Sequence, residues 1–374
     1  SGGGVGKVTA EWLMTGHINQ DIFSYDIKRF QKFHSELGFI KKRITESLGD
    51  LYGMHWPFKQ HKTSRNIKTL PYHDDLKSFG ACFGVSGGYE RPMWFALDGE
   101  VSKYEYSYNY QNWYPSAEYE TNNTIKNVGL YDLTPFSKFE IKSDKAHREL
   151  QRICTANIKK EVGKCTYTHM LNSRGGIECD ITINRLEETK FLIISSATTH
   201  SRDKNWIERN LLGYNATLTD VTSGYTVLSL QGPKSREILE KVSSADFSNS
   251  SFPFSTSQEI ELGYAKVIAN RLTYVGELGW ELHIPTEFSQ HVFDTIWEAG
   301  ISLGINAAGY HALEHLRCER AYREYELDLT PEDTPYEAGL GFTVAIDKKI
   351  PFNGKEALLR QRETKPLKKR LVMF

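Results

Sequence analysis

The 374-residue sequence predicts an α+β fold, and three observations support that prediction. Strand signals and helical patterns are interleaved from about residue 127 onward. They do not alternate as strict β-α-β units, which a doubly wound parallel sheet would require. The composition, with 39% hydrophobic and 25% charged residues, is that of a globular protein long enough to bury more than one core.

The individual elements follow from residue periodicity. Six apolar or β-branched runs predict strands, namely 136–141, 180–186, 191–196, 225–232, 265–277 and 342–346. Three segments with helical spacing predict helices, namely 147–157, 202–213 and 286–300. In the last of these, Phe288, Val292, Phe293 and Ile296 form one apolar stripe that Gly300 closes.

Charge and cysteine content exclude several classes of protein. The formal net charge is −1, from 46 basic and 47 acidic side chains, so we expect neither a nucleic-acid binder nor a protein of anionic membrane surfaces. No apolar run reaches the roughly 18 residues that a membrane span needs. The five scattered cysteines form no C-x-x-C pair, which fits a reducing compartment and gives no zinc-finger signal.

Both ends of the sequence are expected to be cut from something longer. The opening segment 1–17 is glycine-rich and predicts a turn that runs into an amphipathic helix. A helix that begins in this way can bind an anion, but the glycines match neither nucleotide-binding pattern, and a tag or truncation remnant is the alternative. The closing segment 367–374 predicts an apolar strand, which would need partner strands.

Residues 21–120 are irregular and rich in aromatic side chains. The run 104–120 (YEYSYNYQNWYPSAEYE) has too many tyrosines for a flexible linker. We interpret it as interdomain packing, with a stacking platform for bases or sugars as the alternative.

The pentapeptide 311–315 (HALEH) has the H-x-x-E-H order of inverted zinc peptidases. On a helix, Ala312, Leu313 and Leu316 define the apolar side, and the opposite polar side is predicted to carry His311, His315, Cys318 and Tyr322. No convincing helix with a third ligand follows. The pattern therefore favours two solvated or interdomain histidines, and a zinc site is the alternative.

Three segments place polar residues beside glycines at predicted strand ends: 172–186, 228–239 and 271–285. Asp180 follows the Gly175-Gly176 pair, and Tyr274 and Glu277 flank Gly276. Carboxylates and a tyrosine that face one cavity would suit an amine-bearing heterocycle such as a pterin. Ordinary hairpin turns with solvated carboxylates are the alternative.

The runs GGIECD, LQGP, YVGELGWELHIP, NAAGYHALEHLRCERAYR and YEAGLGFTVAIDKKIPFNGKEAL resemble the aminomethyltransferase, or T-protein, of the glycine cleavage system. With GGGVGKVTAEWL, DIKRF and ERPMWF they are still more similar to the C-terminal half of the sarcosine and dimethylglycine dehydrogenase family. FPFST and KKRLVMF point to the sarcosine branch. The resemblance covers essentially the whole chain. It implies a T-protein-like folate-binding domain preceded by the end of a flavin (amine oxidase-like) domain and a linker region.

The resemblance also implies a division of the chain. Residues 1–30 would be the C-terminal remnant of an FAD-binding oxidoreductase domain and 31–120 a central linker region. Residues 121–365 would form the aminomethyltransferase-like folate-binding domain, and 366–374 the start of a truncated C-terminal barrel. The implied cofactors are tetrahydrofolate, and FAD in the complete protein. Sarcosine and folate are the expected small-molecule partners, electron-transfer flavoprotein the expected protein partner, and the mitochondrial matrix the expected location.

The implied activity is oxidative demethylation of sarcosine to glycine, with transfer of the one-carbon unit to tetrahydrofolate. By the resemblance, Asp180 assists proton transfer at the folate, and Tyr274 and Glu277 line the pterin pocket. Leu313 stands where T-proteins tend to have an arginine, and Arg317 is expected to substitute for it. The alternatives are a dimethylglycine dehydrogenase and a protein-binding relative similar to the regulatory subunit of pyruvate dehydrogenase phosphatase.

Overall fold

The computed structural model describes residues 2–16, 18, 20–364 and 366–374. Its α-helices are α1 (Gly2–Thr15), α2 (Leu37–Asp50), α3 (His73–Ser78), α4 (Tyr114–Lys126), α5 (Ala146–Ile153), α6 (His200–Leu211), α7 (Ser235–Val242), α8 (Ser289–Gly300), α9 (Tyr310–Glu319) and α10 (Lys355–Glu363). Its strands are β1 (Ala81–Ser86), β2 (Tyr89–Phe95), β3 (Val128–Asp132), β4 (Ser137–Lys142), β5 (Cys165–Leu171), β6 (Ile177–Arg185), β7 (Lys190–Ser195), β8 (Thr217–Asp220), β9 (Tyr225–Gln231), β10 (Ser257–Leu262), β11 (Ala265–Asn270), β12 (Gly279–Pro285) and β13 (Ile305–Ala308).

Eleven of these strands form two larger sheets, and β1 and β2 pair as a separate hairpin. The six-stranded sheet has the order β10-β11-β12-β9-β3-β13, and the five-stranded sheet has the order β5-β6-β7-β4-β8. Pairing is antiparallel throughout both sheets except between β3 and β13, which run parallel. The chain enters the six-stranded sheet at β3, builds the five-stranded sheet, and then returns with β9 to β13. The α+β prediction is confirmed.

The six-stranded sheet buries one of its faces under α7 and α8. Trp280, Leu282 and Ile284 alternate along β12 and all point into this core, as expected for a strand with one apolar face. On α8, Val292, Phe293 and Ile296 are buried and Phe288 packs against them, so the predicted apolar stripe is confirmed.

The five-stranded sheet has a core of its own under α5 and α6. Ile181 and Ile183 of β6 point into it, together with Leu150 and Ile207 from the two helices. Because side chains alternate along a strand, the even-numbered residues of β6 point to the opposite side. That side is turned toward the six-stranded sheet, since Cys165 Sγ of β5 lies 3.9 Å from Asn270 Oδ1 of β11.

Two predicted strands are wrong. Residues 342–346 lie at a 3₁₀ turn, Gly341–Thr343, because the Thr343 hydroxyl and the backbone N–H of Thr343 both donate to the carbonyl of Leu340. Residues 367–374 form no strand, since the backbone bond from Leu371 to Glu337 is not continued into a ladder. The predicted strand 265–277 ends at Asn270, where the chain turns.

The segment 21–120 is more ordered than predicted. It contains α2, α3, α4 and the β1–β2 hairpin, and Tyr72, Leu76 and Phe95 belong to the core of the six-stranded sheet. The glycines after residue 1 form the first turn of α1 itself, not a turn before it. The domain boundaries given above remain a prediction.

Candidate functional site

The β5–β6 hairpin presents the first group of functional side chains. His169 and Asp180 are paired directly across the two strands, and Tyr167 is paired with Thr182. His169 Nε2 lies 3.3 Å from Asp180 Oδ1, while its Nδ1 lies 3.0 Å from the hydroxyl oxygen of Thr343. Burial raises the pKa of Tyr167 above its usual range, and the charge of Asp180 adds to that effect. Asp180 therefore has both a histidine and a tyrosine as close neighbours.

The glycine pair before β6 fixes where Asp180 stands. Gly175 has a φ of 86°, which favours glycine, and a side chain on Gly176 would collide with the carbonyl of Pro331. The side-chain oxygen of Asn172 accepts hydrogen bonds from the backbone N–H groups of Arg174 and Gly176, both at 3.0 Å. This tight hairpin places Asp180 on the face of β6 that is turned toward the six-stranded sheet.

We call the region between the two sheets the inter-sheet space. It is bounded by the faces that carry Tyr167, Asp180 and Thr182 on β5 and β6 and Glu281 on β12. These side chains point inward and yet keep some accessible surface. Inward-facing polar side chains with accessible surface are the usual lining of a ligand site.

Tyr274 belongs to the same region. Its hydroxyl donates to the carbonyl of Arg323 at 2.8 Å, and its ring stacks on Tyr322 with centroids 6.1 Å apart. Burial raises the pKa of Tyr274 above its usual range; the charge of Glu324 adds to this effect, Arg317 opposes it, and Asp180 makes a smaller contribution. The charge of Asp180 thus acts on Tyr274, and the role of both residues in a pterin pocket remains a prediction.

Glu277 has a different environment from the one predicted. Its carboxylate forms an ion pair with Arg320 at 3.0 Å, and the arginine is half exposed at the surface. The turn before it is tight, because the Thr273 hydroxyl oxygen accepts from the backbone N–H of Val275 and of Gly276. This carboxylate is engaged with a surface arginine, and its role in a pterin pocket remains a prediction.

Glu281 is the carboxylate that sequence reasoning missed. It lies on β12 between Trp280 and Leu282, which point into the core, so Glu281 faces the inter-sheet space. Within the described part of the chain no donor contacts its carboxylate, and burial raises its pKa to about 7. The alternation of apolar and polar residues in GWELHIP could have indicated that Glu281 faces away from the core. That inference requires knowing that a new strand begins at Gly279.

Arg317 is buried in what we call the α9 charge cluster, formed by Glu314, Arg317, Glu324 and Asp328. Its guanidinium donates to both oxygens of Glu314, at 3.1 and 2.8 Å, and to Asp328. Burial opposes its charge, but these carboxylates hold the pKa of Arg317 above its usual range. The guanidinium is committed to protein carboxylates, so binding of a folate glutamate by Arg317 remains a prediction. Leu313 is buried in an adjacent apolar cluster.

Two carboxyl groups of the α9 charge cluster, Glu314 and Glu324, shift each other's pKa in opposite directions. Burial and the neighbouring Glu314 raise the pKa of Glu324 to about 8. Although burial opposes it, hydrogen bonds from Glu324 and Arg317 keep the pKa of Glu314 below its usual range. The Tyr310 hydroxyl donates to Glu324. At neutral pH Glu324 carries the proton and Glu314 the charge.

His311 is not on a polar face, so that part of the HALEH prediction is wrong. It is 1% exposed, its ring stacks on Trp113 at 3.8 Å, and Nε2 lies 2.8 Å from the Tyr104 hydroxyl. The prediction failed because the aromatic segment 104–120 covers this side of α9. Burial lowers the pKa of His311 to about 3, so the ring is neutral.

The described residues offer no third ligand to HALEH. Among them, the one group with metal-like spacing is Glu46, Asp50 and His61. In that group the Lys59 ammonium lies 2.7 Å from Asp50, so this carboxylate already has a cationic partner within the protein.

The fold is that of an aminomethyltransferase-like protein. Residues 72–348 match the family model described as the GCVT N-terminal domain, and residues 15–69 match the FAD dependent oxidoreductase central domain. The chain belongs to the GCVT family. Its T-protein-like domain follows the segment that matches the FAD dependent oxidoreductase central domain. The resemblance to T-proteins and to the sarcosine and dimethylglycine dehydrogenases is confirmed.

One solved structure shows the same fold. It is the glycine cleavage system aminomethyltransferase T from Bartonella henselae, with a TM-score of 0.67 and 23% identity over 80% of this chain and 75% of that chain.

Three curated relatives align along almost the whole chain. A 4-methylaminobutanoate oxidase (formaldehyde-forming) from Paenarthrobacter nicotinovorans is 39% identical over 97% of this chain and 44% of its own length. Mitochondrial sarcosine dehydrogenase from Mus musculus is 33% identical over 99% and 45%. The mitochondrial pyruvate dehydrogenase phosphatase regulatory subunit from Mus musculus is 34% identical over 100% and 43%. The chain thus spans less than half the length of these relatives. No helix of the described residues is long and apolar enough to cross a membrane.

Proposed function

We propose that this chain provides the folate-dependent one-carbon acceptor of a flavoprotein that demethylates N-methyl amines. The observation that carries the proposal is the pair of carboxylates, Asp180 and Glu281, that face the inter-sheet space from opposite sheets. A pterin presents several N–H donors along one edge and a flat ring for tyrosines to cover, so it is complementary to this lining.

The two carboxylates have different tasks in this proposal. Glu281 has no protein donor and accepts N–H bonds from the amino edge of the pterin. Asp180, with His169 at 3.3 Å, holds or moves a proton at the folate nitrogen that captures the carbon. Tyr167 and Tyr274 close the sides of the space, so that the one-carbon unit meets its nucleophile before water.

FAD, when bound in the complete protein, supplies the hydride acceptor that converts the N-methyl amine to an iminium. Capture then forms a carbon–nitrogen bond to tetrahydrofolate, and the demethylated amine leaves as the second bond to folate closes. Sarcosine is the amine that the sequence resemblance favours. Similarity to 4-methylaminobutanoate oxidase supports a longer N-methyl amino acid equally well. Electron-transfer flavoprotein as partner and the mitochondrial matrix as location belong to the same proposal.

A regulatory, protein-binding function is the second candidate, because the regulatory subunit of a phosphatase aligns over the whole chain. Glu281 favours the folate proposal, since a carboxylate that faces the inter-sheet space without a donor among the described residues can accept hydrogen bonds from the N–H groups of a pterin.

An anaerobic calorimetric titration with tetrahydrofolate tests the proposal. We expect one-to-one binding that weakens by about tenfold or more in Glu281→Gln, since a charge-assisted hydrogen bond contributes roughly 1.5–3 kcal/mol. Glu277→Gln makes the same chemical change four residues earlier. A loss of affinity confined to Glu281→Gln assigns the pterin contact to Glu281. A loss confined to Glu277→Gln assigns it to Glu277, as the sequence resemblance implies. Absence of binding by the folded chain favours the regulatory function.

A further inference from the structure

Arg236 and Arg271 converge on one oxygen atom, on the side of the six-stranded sheet that α7 covers. Arg236 lies on α7, and Arg271 directly follows β11. The Oδ1 atom of Asn249 accepts a hydrogen bond from Nη2 of Arg236 at 2.8 Å and from Nη2 of Arg271 at 2.7 Å. A single oxygen atom at this position therefore reaches both guanidinium groups.

The protein holds both guanidinium groups in place. Nε of Arg236 donates to the carbonyl of Phe247 at 2.9 Å, and Nη1 of Arg271 donates to the carbonyl of Phe252 at 2.5 Å. The two groups also pack on the ring of Trp280, with their central carbons 5.9 and 5.6 Å from its centroid. Arginines that are fixed in this way lose little side-chain freedom when they bind a ligand.

The charge of this arginine pair is not balanced by a carboxylate. Within the described part of the chain neither guanidinium forms an ion pair, and their shared acceptor is the neutral amide of Asn249. The carboxylate of Asp246, in the same loop, is engaged in hydrogen bonds within that loop. Burial lowers the pKa of Arg271, and the charge of Arg236 lowers it further. An anion in the position of the amide oxygen would therefore stabilise both cations.

The position between the two arginines is open to solvent. Asn249 is exposed, and both arginines keep accessible surface. Among the described residues the Asn249 side chain contacts no other polar group, so it can turn away and leave its position to a ligand oxygen. Planar guanidinium groups bind phosphate through pairs of N–H bonds, and one phosphate group has enough oxygens for two of them.

We propose that Arg236 and Arg271 form a phosphate-binding site, in which a phosphate oxygen takes the position of Asn249 Oδ1. The ligand is a phosphate ion or a small phosphate monoester, since both present the same oxygens to the arginines. This inference is independent of the proposed function. Arg236 belongs to α7, which packs on the face of the six-stranded sheet opposite the inter-sheet space.

Phosphorus NMR titrations of the full 374-residue chain at constant ionic strength test the site. The probes are inorganic phosphate and glycerol 3-phosphate, and the tighter of the two shows whether the ion or the monoester is the better ligand. Asn249→Ala removes the competing oxygen, so it should bind phosphate several-fold more tightly than the unmodified protein. Arg236→Met and Arg271→Met should each weaken binding by about tenfold or more. Asn109→Ala, at an exposed asparagine of the aromatic segment 104–120, is the control and should change nothing.

Asn249→Asp decides the question if an arginine variant does not fold. Its carboxylate would occupy the position between the guanidinium groups, so it should abolish phosphate binding and raise the melting temperature. Asn109→Asp makes the same chemical change without arginines and should do neither. Phosphate binding that persists in Asn249→Asp, or in both folded arginine variants, overturns the inference. The absence of phosphate binding by both the unmodified protein and Asn249→Ala overturns it as well.

Discussion

The inter-sheet space and the α9 charge cluster both bury ionisable groups, but they satisfy them in opposite ways. In the α9 charge cluster, Arg317 forms ion pairs with three carboxyl groups. In the inter-sheet space, no donor among the described residues contacts the carboxylate of Glu281. A buried charge that is paired within the protein needs no ligand, whereas a carboxylate without a donor can accept hydrogen bonds from one. Whether a buried polar group has a partner within the protein therefore distinguishes the scaffold from the candidate site better than burial does.

The largest effect should come from breaking the α9 charge cluster. Arg317→Met leaves three carboxylates without their cation, and we expect it to lower the free energy of unfolding by about 3–5 kcal/mol. Chemical denaturation measures this. Arg320→Met removes a half-exposed arginine from the same segment and should cost about 1 kcal/mol or less. Equal losses in the two variants would show that the cluster is no more structural than a surface ion pair.

The next effect concerns chemistry and leaves the fold intact. Asp180→Asn keeps the shape and removes the charge beside His169, so capture of the one-carbon unit by tetrahydrofolate should fall by about 100-fold. The yield of methylene-tetrahydrofolate from formaldehyde measures capture, and the melting temperature monitors the fold. Unchanged capture would remove Asp180 from the mechanism, and a collapsed fold would place it with the scaffold.

A smaller effect should appear in the pH dependence of stability. Burial raises the pKa of Glu281 to about 7, above its unfolded value, so its stabilising contribution is complete at low pH. That contribution is lost as pH rises from the unfolded pKa of Glu281 to its folded pKa of about 7. Glu281→Gln, which cannot ionise, should therefore be more stable than the unmodified protein at pH 8, by about 2 kcal/mol or less, and similar at pH 4.5. Denaturation curves at the two pH values show whether the difference has this sign. Glu324 adds a slope of the same sign up to about pH 8 in both proteins.

The smallest effect should be at His311. His311→Phe keeps the stacking on Trp113 and loses only the hydrogen bond to Tyr104, which costs about 1 kcal/mol of stability. Folate binding should not change, because the ring is neutral and packed on the far side of α9. Thermal melting and the tetrahydrofolate titration measure the two quantities. A loss of binding, or stoichiometric zinc in the unmodified protein alone, would return the histidine to the functional site.

What the sequence could predict depended on local signals. The turn at Gly175-Gly176 follows from turn chemistry, and Asp180 lies on the strand that begins after it. The α8 stripe follows from helical periodicity in the same way. Each of these features involves residues that are close in sequence.

The missed features depend on distant neighbours. From sequence alone, Glu277 and Glu281 are equally plausible carboxylates for the candidate site. Only the structure shows that β12 begins at Gly279 and that Glu277 forms an ion pair with Arg320. The prediction put His311 on a polar face of its helix because nothing near it in sequence indicates the contact with Trp113, which belongs to the distant segment 104–120. Residues 342–346 have strand-like composition, but the bonds of Thr343 to Leu340 turn the chain there.

The parallel pairing of β3 with β13 has a consequence for how the chain acquires its structure. Val128 pairs with Ile305, and the entire five-stranded sheet lies between them in the chain. During synthesis the five-stranded sheet can form from segments that are neighbours in the chain. At that stage β3 is still unpaired, because its two partner strands, β9 and β13, come later in the chain. Contacts of such long sequence separation form late and slow the overall reaction. The last step of folding would then be the one that brings β12, with Glu281 and His283, against the completed β5–β6 hairpin.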